Sequence, residues 1–332
     1  MILVTGGAGF LGSHVVDSLI ASGSKVIVLD DLSGGFRDNI HLQAEFIEGS
    51  ILDHKLVNMV FEKYPIRYVY HLAAYAAEGL SHFIKRFNYQ NNLIGSVNLI
   101  NSSIAHEVEC FVFTSSIAVY GSNQLPMRED LIPTPEDPYG IAKLAVEQEL
   151  SASHKMFGLN YVIFRPHNVY GERQNIGDPY RNVIGIFMNQ IMQGKPLTIF
   201  GDGTQSRAFS YVGDIAPVIA QAHDNAKAYG QILNIGADKA FSLNWLAENV
   251  CNAMETKAEI DYLPARREVL HAYPTHAAVR TLFDCPVETP FEEGLSRMAA
   301  WAKKVGPRQG SAFSEIEIER GMPPSWRQLI SK

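Results

Sequence analysis

The chain has 332 residues, of which 46% are hydrophobic and 19% charged, and it carries a formal net charge of −7. This balance excludes disordered and fibrous classes, and it offers no basic patch on which nucleic-acid binding could rest. No apolar run approaches the ~20 residues of a membrane span, no signal-peptide pattern opens the sequence, and Cys110, Cys251 and Cys285 are too scattered for a disulfide framework or a zinc cluster, so a cytoplasmic protein without a metal is expected.

At roughly 100–200 residues per domain, the length predicts two domains. Runs of β-branched and aromatic residues at 2–5, 25–30, 45–48, 67–72, 110–115 and 160–165 predict short strands, and the stretches between them carry helical spacing. Leu11, Val15 and Leu19, with Val16 and Ile20, form one apolar face that stops at Gly23; Ala142, Ala145, Val146 and Leu150 repeat the pattern later. Strands alternating with helices predict an α/β fold, a doubly wound parallel sheet covered on both faces, with ligands beyond the carboxyl ends of its strands. After residue 165 the pattern loosens into a stretch rich in proline and glycine, with one more strand expected at 232–235 and helices at 245–254 and 291–303. The segment after Gly306 holds the alternating Ser314-Glu315-Ile316-Glu317-Ile318-Glu319 and reads as an exposed strand or a docking arm.

Thr5-Gly6-Gly7-Ala8-Gly9-Phe10-Leu11-Gly12 follows the first strand and opens the first helix. Glycine in such a loop lets backbone N–H groups approach a pyrophosphate at the helix N-terminus, and Gly12 lets helix and sheet pack closely. Asp30 ends the second strand, where its carboxylate can accept both hydroxyls of an adenosine ribose. A 2′-phosphate about 4 Å away would be repelled by on the order of 4 kcal/mol at an effective dielectric near 20. No arginine adjoins Asp30 and Asp31 in sequence to offset that, so NAD is expected rather than NADP.

Ser115-Ser116 closes the fifth strand, and Tyr139 and Lys143 stand four apart at the start of a helix, on one face. A tyrosine hydroxyl must give up about 4 kcal/mol of proton affinity to act as a base near neutrality. A neighbouring lysine ammonium and a nicotinamide cation both act in that direction, and Ser116 could hydrogen-bond the same substrate oxygen.

These residues, with residues 5–13, His71-Leu72-Ala73-Ala74, Val119-Tyr120-Gly121, Pro138-Tyr139-Gly140, Arg165, Asn168-Val169-Tyr170-Gly171, residues 201–207, Phe209, Tyr211-Val212 and Asp214, resemble the extended short-chain dehydrogenase/reductase family. The resemblance runs to about residue 300 and is to its NAD-dependent nucleotide-sugar epimerases and dehydratases, closest to the UDP-glucose 4-epimerase-like members. It implies a Rossmann domain over residues 1–165 with a returning segment around 209–235, and a smaller α/β nucleotide-sugar domain from 166–208 and 236–332. It implies that Ser116, Tyr139 and Lys143 are catalytic. Around NAD it places Gly6, Gly9, Phe10, Leu11, Asp30, Asp31, Ser33, Gly34, Ser50, Ile51, Leu72, Ala73, Ala74, Asn92, Ser115 and Pro166, besides Tyr139 and Lys143. Around the nucleotide-diphosphate sugar it places Glu78, His167, Asn168, Asn182, Arg207 and Arg267, besides Ser116 and Tyr139. Arginine suits a pyrophosphate because its planar fork matches phosphate oxygens. A homodimer through helices around 92–104 and 139–154 is also implied.

The dehydratases of this family carry an Asp-Glu pair after the active-site serine or threonine, where this chain has Ile117 and Ala118. The related decarboxylases carry glutamate at the position of Ala118, and 3,5-epimerases place a cysteine in this segment. With no proton carrier there, the simplest course is 4-epimerisation: oxidation at C4, rotation of the 4-keto sugar, and return of the hydride to its other face. Four places depart from the family pattern. Ser50 follows Gly49 where an aspartate is usual, and Val269-Leu270 follows Arg267 where Gly-Asp is usual. His276 replaces an aspartate, and His167 replaces an aromatic residue before Asn168, a His-Asn pairing that resembles GDP-sugar 3,5-epimerases. A non-catalytic NAD-binding module would commonly have lost the tyrosine or the lysine, and both are intact.

Overall fold

The structure is a computed structural model that describes residues 1–122, 124–266, 268–310 and 313–330. Six strands, β1 (Ile2–Thr5), β2 (Val26–Asp30), β3 (Glu45–Glu48), β4 (Tyr68–His71), β5 (Cys110–Thr114) and β6 (Tyr161–Pro166), fall within a residue of the predicted runs. Strand Gln231–Ile235 joins them beside β6, and every pairing in the sheet is parallel. The order is Gln231–Ile235, β6, β5, β4, β1, β2, β3. Chain order reverses direction between β4 and β1, which is where a crevice opens in a doubly wound sheet.

Alternation within the strands explains how one sheet serves two cores. Ile2, Val4, Val26 and Val28 face helix α1 (Phe10–Ala21) and helix Val212–Ala220, whereas Leu3, Ile27 and Leu29 face helices His54–Lys63, Gly95–Ala105 and Pro138–Phe157. The last of these starts where the sequence dictates. Asp137 caps it by accepting a hydrogen bond from Gly140 N (2.9 Å), and Pro138 needs no partner at the first helical position.

The remaining segments form three small sheets. Leu197–Phe200 pairs with Ile260–Leu263 in parallel, Val169–Tyr170 with Ser210–Tyr211, and Ser206–Ala208 lies between Ala240–Ser242 and His271–Ala272. Helices Leu243–Ala253 and Phe291–Val305 stand close to where periodicity placed them. The piece at 314–319 forms no strand; it bends across the molecule and leads to helix Pro324–Ile330. Among the described residues, no helix is long and apolar enough to cross a membrane.

Candidate functional site

A cleft of about 1390 Å³ opens beyond the carboxyl ends of the central strands. A single small-molecule site usually occupies ~300–1,000 Å³, so this one has room for two large ligands side by side.

One end of the cleft is built from backbone. Gly6 has φ 74°, and a Cβ there would lie 2.6 Å from Ala73 N; a Cβ at Gly12 would lie 2.0 Å from the Gly6 carbonyl oxygen. Any side chain at either position would push the loop, helix α1 and the end of β4 apart. No side chain caps the first turn of α1 and no acid lies in it, so its N–H groups suit an anion. The Asp30 carboxylate accepts from Ala8 N (3.0 Å) and Leu32 N (2.8 Å), which fixes it beside this loop, and burial pushes its pKa above the usual range. Its remaining lone pairs are the acceptors that a ribose diol needs. This glycine cradle and fixed carboxylate fit a dinucleotide.

Gly9, Phe10, Leu11, Asp31, Ser33, Gly34, Ile51, Leu72, Ala73, Ala74, Ser115 and Pro166 also line the cleft. Ser50 and Asn92 do not. The Ser50 hydroxyl accepts from Leu52 N (3.3 Å) and shapes its own turn. Asn92 sits in a π-helical turn and pairs with both backbone groups of Tyr75, at 2.9 and 3.1 Å, so it braces the loop after β4 from behind. The hydroxyl of Ser115 also points away from the cleft. It donates to Glu147, whose carboxylate is paired with the Arg165 guanidinium in a fully buried ion pair.

Ser116, Tyr139 and Lys143 meet in the middle of the cleft. Ser116 caps the short helix Ile117–Tyr120 by accepting from Ala118 N (3.1 Å). Lys143 donates to the Thr114 carbonyl (2.9 Å) and lies 5.8 Å from the centre of the Tyr139 ring. The sequence reading expects a lowered tyrosine pKa; in the protein alone it is raised. Burial is the largest cause, the Glu78 and Asp137 carboxylates add to it, and the Ser116 hydrogen bond opposes it. Burial also brings Lys143 down to about 7, so its charge is too weakly held to stabilise a tyrosinate by itself.

The far end of the cleft is built from side chains. Asn168 (φ 37°) and Asn182 (φ 65°) hold left-handed backbone positions that asparagine tolerates, and both line the wall. Arg207 is largely committed. Its Nη1 donates to the Ser206 and Leu270 carbonyls (2.9 Å each) and its Nη2 to the Val269 carbonyl. Arg267 lies outside the described residues. Arg266, which the sequence reading passed over, lines the cleft; Nη2 donates to Glu268 (3.2 Å), and Nε is buried with no partner. Arg181 lines it too, bound to Asp178 (2.7 Å). The signal for Arg266 was its place directly before Arg267, in a stretch where the register was ambiguous.

Glu78 is open to solvent inside the cleft yet walled in by protein. Burial and the Asp137 charge hold its carboxyl up at about 7, with Arg207 and Arg266 opposing. A titratable carboxyl therefore stands near Tyr139, supplied by the short helix Glu78–Ser81 after β4 and not by positions 117 and 118. His167 borders the cleft with both ring nitrogens engaged, one with the Ala208 carbonyl (2.9 Å) and one with His276 Nε2 (3.0 Å). The two histidines that depart from the family pattern thus meet, and Asp238 completes the chain at His276 Nδ1 (2.6 Å). Among the described residues, no group of three or more His, Cys, Asp or Glu is arranged to hold a metal ion.

The sequence matches the NAD dependent epimerase/dehydratase family over residues 2–236. It is 34% identical to a UDP-glucose 4-epimerase of Mycolicibacterium smegmatis over 273 residues, 80% of this chain and 86% of the relative. The fold superposes on a UDP-glucose 4-epimerase of Thermotoga maritima, solved with UDP-glucose, at a TM-score of 0.85 and 36% identity, covering 92% of this chain and 99% of that one. A UDP-glucuronic acid 4-epimerase of Bacillus cereus, solved with UDP-glucuronic acid and NAD, gives 0.84 at 28% identity, with 92% and 99% covered.

Proposed function

The chain belongs to the NAD dependent epimerase/dehydratase family as an NAD-dependent nucleotide-sugar epimerase, and from that premise we propose that it inverts C4 of a UDP-linked sugar. The observation that carries this reading is the meeting of Ser116, Tyr139 and Lys143 in one cleft, with the proton-inert Ile117 and Ala118 on the same wall. On this reading the cleft divides between the two ligands. The loop at Gly6, Gly9, Phe10 and Leu11, with Asp30, Ser33, Gly34, Ile51 and residues 72–74, holds NAD, and Asn168, Asn182, Arg207 and Arg266 hold the nucleoside diphosphate. Residues 1–165 with the returning segment around 209–235 form the NAD domain, and 166–208 with 236–332 the nucleotide-sugar domain.

Bound NAD supplies an acceptor for hydride that also gives it back, so the turnover has no net redox. Tyr139 takes the proton of the sugar 4-hydroxyl while Ser116 hydrogen-bonds the same oxygen. Lys143, anchored on the Thr114 carbonyl, fixes the tyrosine's surroundings and contributes its charge whenever it is protonated. The same tyrosine returns the proton after the 4-keto sugar has turned over in the cleft. A 3,5-epimerisation resting on His167 has little support, because neither of its ring nitrogens is free. Two exposed isoleucines support a homodimer through helices Gly95–Ala105 and Pro138–Phe157: Ile94, 50% exposed in the turn that leads into the first, and Ile141, 42% exposed on the second.

Incubation in deuterium oxide with UDP-glucose, UDP-galactose and their N-acetylamino and uronate forms, followed by proton NMR, tests the reading. The expected result is C4 inversion of at least one of them without deuterium at C3 or C5. Inversion of none would overturn it, and label at C3 or C5 would show proton abstraction from carbon in place of hydride return to C4. Tyr139→Phe should lower turnover by about 10²–10⁴-fold, the range for a lost general base, with NAD still bound.

A further inference from the structure

Both solved neighbours are covered over 99% of their length, while 92% of this chain is matched. This chain therefore carries residues that they lack, and the segment after Gly306 is of about that size. Its course is specific. Asn189 and Gln193 both donate to the Arg308 carbonyl, at 2.9 and 3.0 Å, and fix its start. Phe313 packs edge-on against Phe87, ring centres 4.7 Å apart. Glu317 accepts from Arg86 N (3.0 Å) and Phe87 N (3.1 Å), and its own N–H donates to the Phe83 carbonyl (2.8 Å). These bonds pin the arm to helix Lys85–Tyr89 and the turn before it, just after the short helix Glu78–Ser81.

Helix Pro324–Ile330 of the arm carries Trp326, only 4% exposed, at the wall of the cleft. The Arg266 guanidinium lies 5.6 Å from the Trp326 ring and 4.6 Å from the Phe200 ring. The indole also meets Gly79, next to Glu78, where a Cβ would lie 3.3 Å from the ring and 3.6 Å from Arg266 Nη1. One residue of the arm thus touches both edges of the far cleft, the Glu78 loop and the arginine whose Nε has no protein partner.

We propose that the C-terminal arm completes the nucleotide-sugar end of the cleft, with Trp326 as a positioning residue that holds Arg266 aimed at the diphosphate. The proposal rests on the nucleotide-sugar reading above. Arginine side chains lose much rotamer freedom when they bind, and stacking on fixed aromatic rings removes that cost before the ligand arrives. The start of the arm reaches the NAD end, where Arg308 stacks 3.8 Å over the Phe36 ring, whereas Trp326 sits beside Phe200, Gly79 and Arg266, so a substitution of Trp326 acts on the second ligand.

The test uses the full-length NAD-loaded protein, with UDP as a calorimetric probe and the best UDP-sugar for kinetics. Trp326→Ala should weaken UDP binding and raise KM at least tenfold, with kcat changed less than threefold and NAD affinity unchanged. Trp326→Phe should recover most of the loss, and Glu317→Ala, which releases the middle of the arm, should shift KM in the same direction by about threefold. UDP affinity within twofold of wild type in Trp326→Ala would overturn the proposal. Should that variant fail to fold, Trp326→Phe and Glu317→Ala decide it, and normal UDP binding in both overturns it. A wild-type protein that binds UDP but inverts no sugar would instead count against the assigned reaction and leave the role of the arm standing.

Discussion

The two ends of the cleft are built by different means. The end assigned to NAD is mostly backbone: a tight turn, a helix N-terminus and strand ends, closed so tightly that glycine is required, with one fixed carboxylate. The end proposed for the nucleotide sugar is mostly side chains, contributed by segments as far apart as Glu78, Asn182, Arg266 and Trp326. A backbone site stands or falls with the fold that shapes it. A side-chain site can lose an element and remain folded. Substitutions at the first end should therefore register in stability and NAD binding together, and those at the second in KM alone.

The severest trial of that contrast lies just beneath the NAD and catalytic walls. Arg165 and Glu147 are paired with each side chain 2% exposed, and Glu147 also accepts from Ser115 at the end of β5. Arg165→Met leaves a buried carboxylate without its cation, which costs about 3–5 kcal/mol. A denaturant titration should find a loss of that size, accompanied by loss of NAD. A variant as stable as wild type would show that the ion pair is not what braces this wall. Gly12→Ala is expected to act less strongly. Relief of the overlap with the Gly6 carbonyl costs about 1–3 kcal/mol, as overpacking generally does, and it opens the loop, so NAD affinity should fall at least tenfold in the same calorimetric series. Normal NAD binding in a destabilised Gly12→Ala would separate two properties that this geometry ties together.

The contrast also explains what could be read from the sequence. The sheet and the glycine loop were legible because their requirements are local and periodic: apolar strands at even spacing, glycines at 6, 9 and 12, an acid where β2 ends. Tyr139 and Lys143 were legible because a helix fixes which residues share a face. Ser50 and Asn92 fall outside the cleft lining, and in sequence a side chain facing a ligand and one bracing the loop behind it look alike. Arg266 was passed over because the adjacent Arg267 fits the same pattern, and only the fold shows that Arg266 lines the cleft. The raised tyrosine pKa was illegible for a further reason: it depends on burial and on Glu78 and Asp137, which approach Tyr139 only in three dimensions.

At the side-chain end, Arg266→Ala removes the unpartnered donor and leaves the ring cluster of Phe200 and Trp326 in place. A lost charged hydrogen bond to a phosphate is worth about 1.5–3 kcal/mol, so KM for the UDP-sugar should rise tenfold to a hundredfold. The melting temperature and NAD affinity should hold. A large fall in either would mean that this arginine belongs to the fold more than to the ligand.

The smallest effect is the most diagnostic of the electrostatics. Glu78 carries a pKa of about 7, raised from 4.5 by burial and by Asp137. Its folded value exceeds its unfolded one, so the folded protein binds the extra proton between those two values. The stabilisation from that proton is complete below the unfolded value and is lost as pH rises through about 7. Above neutrality the carboxylate also adds a negative charge near Arg207 and Arg266, where an anionic diphosphate must bind. Wild-type KM should therefore climb between pH 6 and 8.5 by less than tenfold, and Glu78→Gln, which keeps the shape without the charge, should flatten the climb and gain stability at pH 8 relative to pH 5. Glu78 and Asp137 feel each other's charge, so the difference between wild type and variant reports the pair with Glu78 as its variable member. Parallel KM profiles in the two would show that its charge does not reach the diphosphate.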